Sequence, residues 1–228
     1  IGAAGAGRGA EEARRGVTLS ASGLRLGLVA VSDHPREYAA APGDWGIAYA
    51  DLRNGPPDWL LSELRRLRLR CDLVIVFPHW GPNMTVRPAP WQRALAAELI
   101  GAGADLVAGH SAHVFHGIEW LERGIVLYDL GDALDDYAVD RSLRNDLGLL
   151  ALWRPDPADS SIELVGLRLD FCRTELAVEK DADWIAARLE RACGELGASV
   201  ERVAEQRFRT RGPAPTSPRD PDEQSPEP

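Results

Sequence analysis

Three histidines define the chemistry this chain could perform. His79, His110 and His113 each come just after an apolar run that reads as a buried strand, Leu73 to Phe77 before the first and Leu106 to Ala108 before the others. Side chains at strand ends emerge where α/β sheets form their ligand crevices. Neutral imidazole is the commonest nitrogen ligand for zinc, manganese and iron, and a catalytic site needs several such ligands converging from separate elements. The three residues therefore suggest a metal centre. His110 and His113 form H-x-x-H, an offset that can aim both rings into one cavity but does not force them to. For any one histidine alone, a hydrogen bond to a nearby carbonyl is the plainer explanation. Jointly they favour a site, because the glycines in His79-Trp80-Gly81 and Gly109-His110 let backbone turn sharply or approach a ligand.

Other polar residues crowd the same stretch. His116 lies three positions after His113 and reads as a supporting or structural residue. Asp129, Asp132, Asp135 and Asp136 would repel one another unless a cation lay nearby, so the run is consistent with a metal. For Asp135 and Asp136 an acidic surface loop explains the pattern equally well. Asp132 is the better candidate, since Gly131 lets the strand end turn toward the histidines. Asp33 and His34 also follow an apolar strand. Pro35 marks a turn there, and aspartate before a turn commonly bonds local backbone, so the pair is read as turn residues.

Periodicity locates the elements that must hold these groups. Residues 1–16 are rich in Gly, Ala and Arg and read as a connector. Leu24 to Ser32 alternates and then becomes continuously apolar, as a covered strand does. Asp58 caps a helix with Leu60, Leu61, Leu64 and Leu67 at helical spacing, and Leu73 to Phe77 is the next strand. Pro78 to Pro90 is a proline-stiffened loop, expected to form one wall of the site. Trp91 to Ile100 is a helix ended by Gly101 and Gly103, which completes a βαβ unit. Residues 117–121 and 125–130 flank Glu122-Arg123-Gly124 as a hairpin, and residues 147–153 and 162–171 flank a longer polar loop as a second. Asp181 opens a last helix with Trp184, Ile185, Leu189 and Leu196 as its apolar stripe. Residues 1–209 are read as one domain and residues 210–228, rich in proline and charge, as a disordered tail.

Several blocks resemble, in the same order, the capsule-synthesis protein CapA family of poly-γ-glutamate synthesis, related in fold to calcineurin-like metallophosphoesterases. They are His79-Trp80-Gly81; Trp91-Gln92-Arg93 to Ile100 with Gly103-Ala104-Asp105; Gly109-His110-Ser111-Ala112-His113-Val114 with Gly117-Ile118-Glu119; and Tyr128-Asp129-Leu130-Gly131-Asp132. The resemblance covers most of residues 3–172. Ser111 stands where many members have a second histidine, and Gly131-Asp132 replaces the usual G-N. The family's early G-D and N-N-H segments are absent and the chain opens with Ile1, so it reads as a fragment retaining the later half of the ligand set.

The resemblance implies a four-layer α/β/β/α sandwich, here incomplete at its N-terminal part. It implies divalent metal ions (Mn, Zn or Fe, two in the complete protein), held in this chain by His79, His110 and His113, with His116 and Asp132 behind them. The implied substrate is a phosphoester or an anionic polymer such as poly-γ-glutamate. The alternative is a non-catalytic polymer-binding or assembly component of capsule synthesis.

Composition excludes some classes. A chain of 228 residues with 45% apolar content can bury a substantial core. Its net charge of −9 argues against nucleic acid as a partner, since phosphate binding needs a basic face. The one basic cluster, Arg65, Arg66, Arg68 and Arg70, reads as a solvated helix face. Cys71, Cys172 and Cys193 are odd in number and far apart, so buried thiols are expected rather than disulfides. No stretch reaches the ~18 apolar residues of a membrane span. Cytoplasm is the favoured location, with an anchor or leader in an upstream segment as the alternative.

Overall fold

The computed structural model describes residues 2–155 and 161–212. The opening segment does more than connect: β1 (Ala6–Arg8) and α1 (Ala10–Arg14) fold locally, β2 (Val17–Ala21) leads into β3 (Leu24–Ser32), and β4 (Trp45–Ile47) returns to pair with β1. Then follow α2 (Asp58–Arg68), β5 (Leu73–His79), α3 (Pro90–Gly101) and β6 (Leu106–Ala108). The first expected hairpin is β7 (Ile118–Leu121) and β8 (Gly124–Leu127), and the second is β9 (Leu147–Trp153) and β10 (Ser161–Asp170). The chain continues through β11 (Arg173–Leu176), α4 (Glu179–Gly194), β12 (Ser199–Ala204) and β13 (Arg207–Arg211). The strand β13 runs two residues past the expected domain end. Residues 213–228 of the expected tail lie outside the described residues.

Six strands form the larger sheet in the order β2-β3-β5-β6-β8-β7. The inner four are parallel, and β2 and β7 are antiparallel edges. Parallel strands are covered on both faces, which is why β3 and β5 read as nearly continuous apolar runs. One face presents Val29, Val31, Val74, Val76, Val107 and Val126 to Leu60, Leu64 and Leu67 of α2 and to Leu95 and Leu99 of α3. The other presents Leu106, Ile125 and Leu127 to the second sheet and to Ile185 and Leu189 of α4. In that antiparallel sheet β10 is central, with β9 on one edge, β13 and β11 on the other, and β12 outside β13. Two sheets sharing a core, with α2 and α3 outside the larger and α4 against the smaller, give the expected mixed α/β sandwich.

Leu64 is fully buried between α2 and the larger sheet. Leu64→Ala should therefore cost about 2–5 kcal/mol in urea or thermal unfolding. A loss below about 1 kcal/mol would show that this core is loosely packed.

Two further sequence expectations change. Cys172 is exposed, because it sits in the β10–β11 turn at φ 51, where the apolar strand has already run out, while Cys71 and Cys193 are buried. Arg66 and Arg68 are more than a solvated face. Arg66 pairs with Glu63, and Arg68 pairs with Asp105 and donates to the carbonyls of Cys71 and Asp72, tying the C-terminus of α2 to β5 and β6.

Candidate functional site

Backbone pairing continues past the ends of three neighbouring parallel strands and aligns their polar termini. Asp33 N donates to His79 O at 3.0 Å, Trp80 N donates to His110 O at 3.1 Å and His110 N donates to Pro78 O at 3.1 Å. Residues after β3, β5 and β6 are thus fixed side by side at the C-terminal edge of the sheet, the crevice position expected for an α/β ligand site. From the next strand, β8, the chain runs on through Tyr128 and Asp129 to Asp132.

The side chains meet there. The ring of His79 lies 4.4 Å from that of His34 and 4.8 Å from that of His110. His79 Nδ1 and His110 Nδ1 are 3.0 Å apart. Both oxygens of Asp132 lie 3.0 Å from His113 Nδ1, and Asp33 holds His34 through its Nδ1. Two imidazoles are therefore oriented by carboxylates and two face each other. Burial of the ring, with His110 and His34 beside it, pulls the pKa of His79 down to about 4. Partial burial, with His113 and His34 nearby, lowers that of His110 as well. At neutral pH both are uncharged, the form that can offer a lone pair to a metal.

The loop carrying Ser111 and His113 is held in an unusual backbone path, with φ of 129° and 58° at those two residues. Such conformations persist only where surrounding contacts over-determine them. Buried Asp129 provides part of that constraint by accepting from Ala112 N at 2.7 Å and Gly131 N at 2.8 Å. Burial raises its pKa to about 6 despite those bonds. Ser111 Oγ donates to Gly81 O at 2.9 Å and lies 3.3 Å from His34 Nε2. Trp80 is buried beneath, its Nε1 donating to Tyr128 O at 3.1 Å.

The model of the bacterial capsule synthesis protein PGA_cap matches residues 1–137, more than half of the chain. This chain belongs to the PGA_cap family. A probable polyglutamine synthesis accessory protein of Mycobacterium tuberculosis is 34% identical over 210 residues, covering 86% of this chain and 55% of that relative. Capsule biosynthesis protein CapA of Bacillus anthracis is 32% identical over 117 residues, covering 50% of this chain and 28% of its own. A hypothetical protein from Thermus thermophilus aligns over 70% of this chain and 58% of its own at 18% identity and a TM-score of 0.34, a remote likeness. The chain spans about half the length of the first relative and less of the second.

The PGA_cap match ends at Tyr137, yet elements beyond it hold the histidine segment in place. Arg188 of α4 donates from Nε and Nη2 to Phe115 O at 3.3 and 3.0 Å, Ile118 N donates to Cys193 Sγ at 3.3 Å, and Leu149 N donates to Leu130 O at 2.8 Å.

Of the expected site residues, the structure brings His79 and His110 into contact and pairs His113 with Asp132. His116 stands apart from them. It is buried with Nε2 3.0 Å from Thr85 O, while its Nδ1 has no partner among the described residues. Asp33 and His34, read from sequence as turn residues, belong to the cluster: Asp33 Oδ2 accepts from Gly81 N at 2.9 Å, a partner 48 positions away. The signal was available, since they follow β3 just as His79 ends β5.

Among the described residues no three His, Cys, Asp or Glu side chains already converge in the arrangement that holds a metal ion. The chemistry of the donor set nonetheless fits a divalent transition metal, because neutral imidazoles backed by carboxylates are the usual arrangement around one. The described helices include none long and apolar enough to cross a membrane.

Proposed function

We propose that this PGA_cap chain carries the histidine-rich side of a metal-dependent hydrolytic site, acting on a phosphoester or an anionic polymer during capsule or poly-γ-glutamate synthesis. The observation that carries the reading is the gathering of His34, His79 and His110 at the ends of three adjacent parallel strands, with the Asp132-held His113 on the loop that follows. In this reading His79, His110 and His113 hold the ion or ions. A bound divalent ion would supply a water of lowered pKa and offset charge on the attacked oxygen. Asp132 fixes the ring of His113 through Nδ1, and Asp33 fixes that of His34, whose Nε2 lies 3.3 Å from Ser111 Oγ.

The test is to load the purified chain with manganese, zinc or ferrous iron. Bound metal is then measured after dialysis, and hydrolysis of bis(p-nitrophenyl) phosphate and of poly-γ-glutamate is followed with and without chelator. Weak metal retention with slow, chelator-sensitive turnover is the expected result, because affinity depends on the number of ligands and this chain supplies the histidine-rich side of the site. A second reading, a non-catalytic polymer-binding component, draws on the accessory role in the name of the Mycobacterium tuberculosis relative. Polymer binding without turnover of either compound at full metal occupancy would favour it over hydrolysis.

A further inference from the structure

A cavity of about 200 Å³ opens between the proline-rich loop, α3, the segment entering β7 and the C-terminal end of α4, and its walls carry both signs of charge. Arg87 stands on the loop, Arg93 on α3, and Glu195 caps α4. The guanidinium of Arg93 is fixed by Nε and Nη2, which donate to the two oxygens of buried Glu119, itself held by the hydroxyl of Tyr128. Its charge is thereby offset, and its Nη1, which bonds nothing among the described residues, is an oriented donor. Exposed Arg87 and Glu195 form no ion pair among the described residues. Arg87 therefore leaves an uncompensated positive charge on one wall, and Glu195, with the carbonyl end of the 16-residue helix α4, makes the other wall negative. The walls are tied together before any ligand arrives. His116 Nε2 lies 3.0 Å from Thr85 O, and the residues that follow this pair, Gly117 and Val86, both line the cavity. Gly117 is four positions past His113, so the cavity adjoins the histidine segment.

We propose that this cavity binds an α-amino-acid head, an ammonium and a carboxylate on one carbon, as the amino-terminal unit of a γ-linked glutamyl chain presents it, an assignment that rests on the poly-γ-glutamate reading above and deepens it. In a γ-linked chain every peptide bond uses the side-chain carboxyl, so the first unit keeps its α-ammonium and α-carboxylate together. In an α-linked chain the first peptide bond consumes that carboxylate. The carboxylate meets Arg87 and Nη1 of Arg93, the ammonium meets Glu195 and the carbonyl end of α4, and the two methylenes lie against Val86 and Leu196. A head with one charge of either sign is attracted by one wall and repelled by the other, whereas a zwitterion satisfies both. The net charge of −9 repels a polyanion at long range, so a chain end carrying the one cationic group of the polymer is where affinity can be gained.

Titration calorimetry on the full chain in EDTA, with tri-γ-glutamate as the probe, reads the cavity without the metal centre. The wild type should bind this trimer about tenfold more tightly than its N-acetyl derivative, and about tenfold more tightly than α-linked triglutamate, which has the same net charge. Free glutamate should bind more weakly than the trimer, because its side-chain carboxylate sets a charge against Val86 and Leu196 where the chain carries an amide. Arg87→Ala should weaken the trimer about tenfold, and Glu195→Gln should erase the penalty of acetylation. Both side chains are exposed, so neither change should disturb the fold. Equal affinity for the free and acetylated trimers, equal affinity for the two linkages, unchanged binding in Arg87→Ala, or no binding by the wild type would each overturn the assignment. Glutamate bound as tightly as the trimer or more so would give the cavity to the free amino acid and overturn the role of the chain end. All of these are read without metal, so the hydrolytic reading stands or falls separately on chelator-sensitive turnover.

Discussion

His79→Ala and His110→Ala should each lower affinity for divalent transition metal by about 100-fold or more, and His113→Ala should do so to a similar degree. The two strand-end rings face each other with their Nδ1 atoms 3.0 Å apart, so losing either leaves a neutral donor with no partner on that side. Asp132→Asn should have a smaller effect, about 10-fold, because the amide can still accept from His113 Nδ1 but no longer stabilises the ring by charge. His34→Ala belongs in the same series, since its ring packs 4.4 Å from that of His79. The control is His116→Gln: His116 Nε2 bonds Thr85 O, away from the other rings, and a glutamine amide can replace that bond. Elemental analysis after dialysis, with competition against a chelating dye, gives stoichiometry and affinity. Unchanged metal content in all three alanine variants would dispose of the metal assignment, and loss in His116→Gln would mean that the site extends to the buried histidine.

His79 at the end of β5 and His110 just after β6 were legible because the signal is local: a continuous apolar run identifies a buried strand, and the next polar residue must emerge at its end. The same rule applied to Leu24 to Ser32 points to Asp33 and His34, but Pro35 supplied a competing local explanation. What decides between them is the parallel pairing of β3 with β5, a contact between residues about 47 positions apart that no local pattern encodes. The short elements were illegible for another reason. In β12 and β13 most side chains are exposed arginine, glutamate or small residues, so the alternation that marks a half-buried strand is nearly absent. In β13 only Phe208 and Thr210 turn inward, Thr210 accepting from Trp120 Nε1 at 3.1 Å. The opening helix α1 spans five residues, too short for an apolar stripe to stand out, and is defined by its packing against β1 and β4.

Gly117→Ala should be among the most damaging single substitutions in the chain, although it adds one methyl group. A Cβ there would lie 2.2 Å from Ala192 O, 2.5 Å from Ala192 C and 2.9 Å from Cys193 N. All three are backbone atoms of α4, so no rotamer change relieves the clash and the helix must move away. Moving it breaks the bond from Ile118 N to Cys193 Sγ and draws Arg188 off Phe115 O. Arg188 is only 5% exposed and forms no ion pair among the described residues. Burial, with Arg191 nearby, lowers its pKa to about 10, so it stays charged at neutral pH. A buried guanidinium that loses its acceptor is costly, and Phe115 O would be left unsatisfied as well. The expected loss is about 3 kcal/mol, a fall of roughly 6–12 °C in thermal midpoint for a chain of this size. Metal affinity should fall with it, because the displaced segment carries His113. The comparison is Gly194→Ala in the last turn of the same helix, where an added Cβ meets nothing within 4 Å and should be neutral or slightly stabilising. Equal midpoints for the two variants would mean that α4 does not seat against Gly117, and that the histidine segment keeps its shape without the region beyond Tyr137.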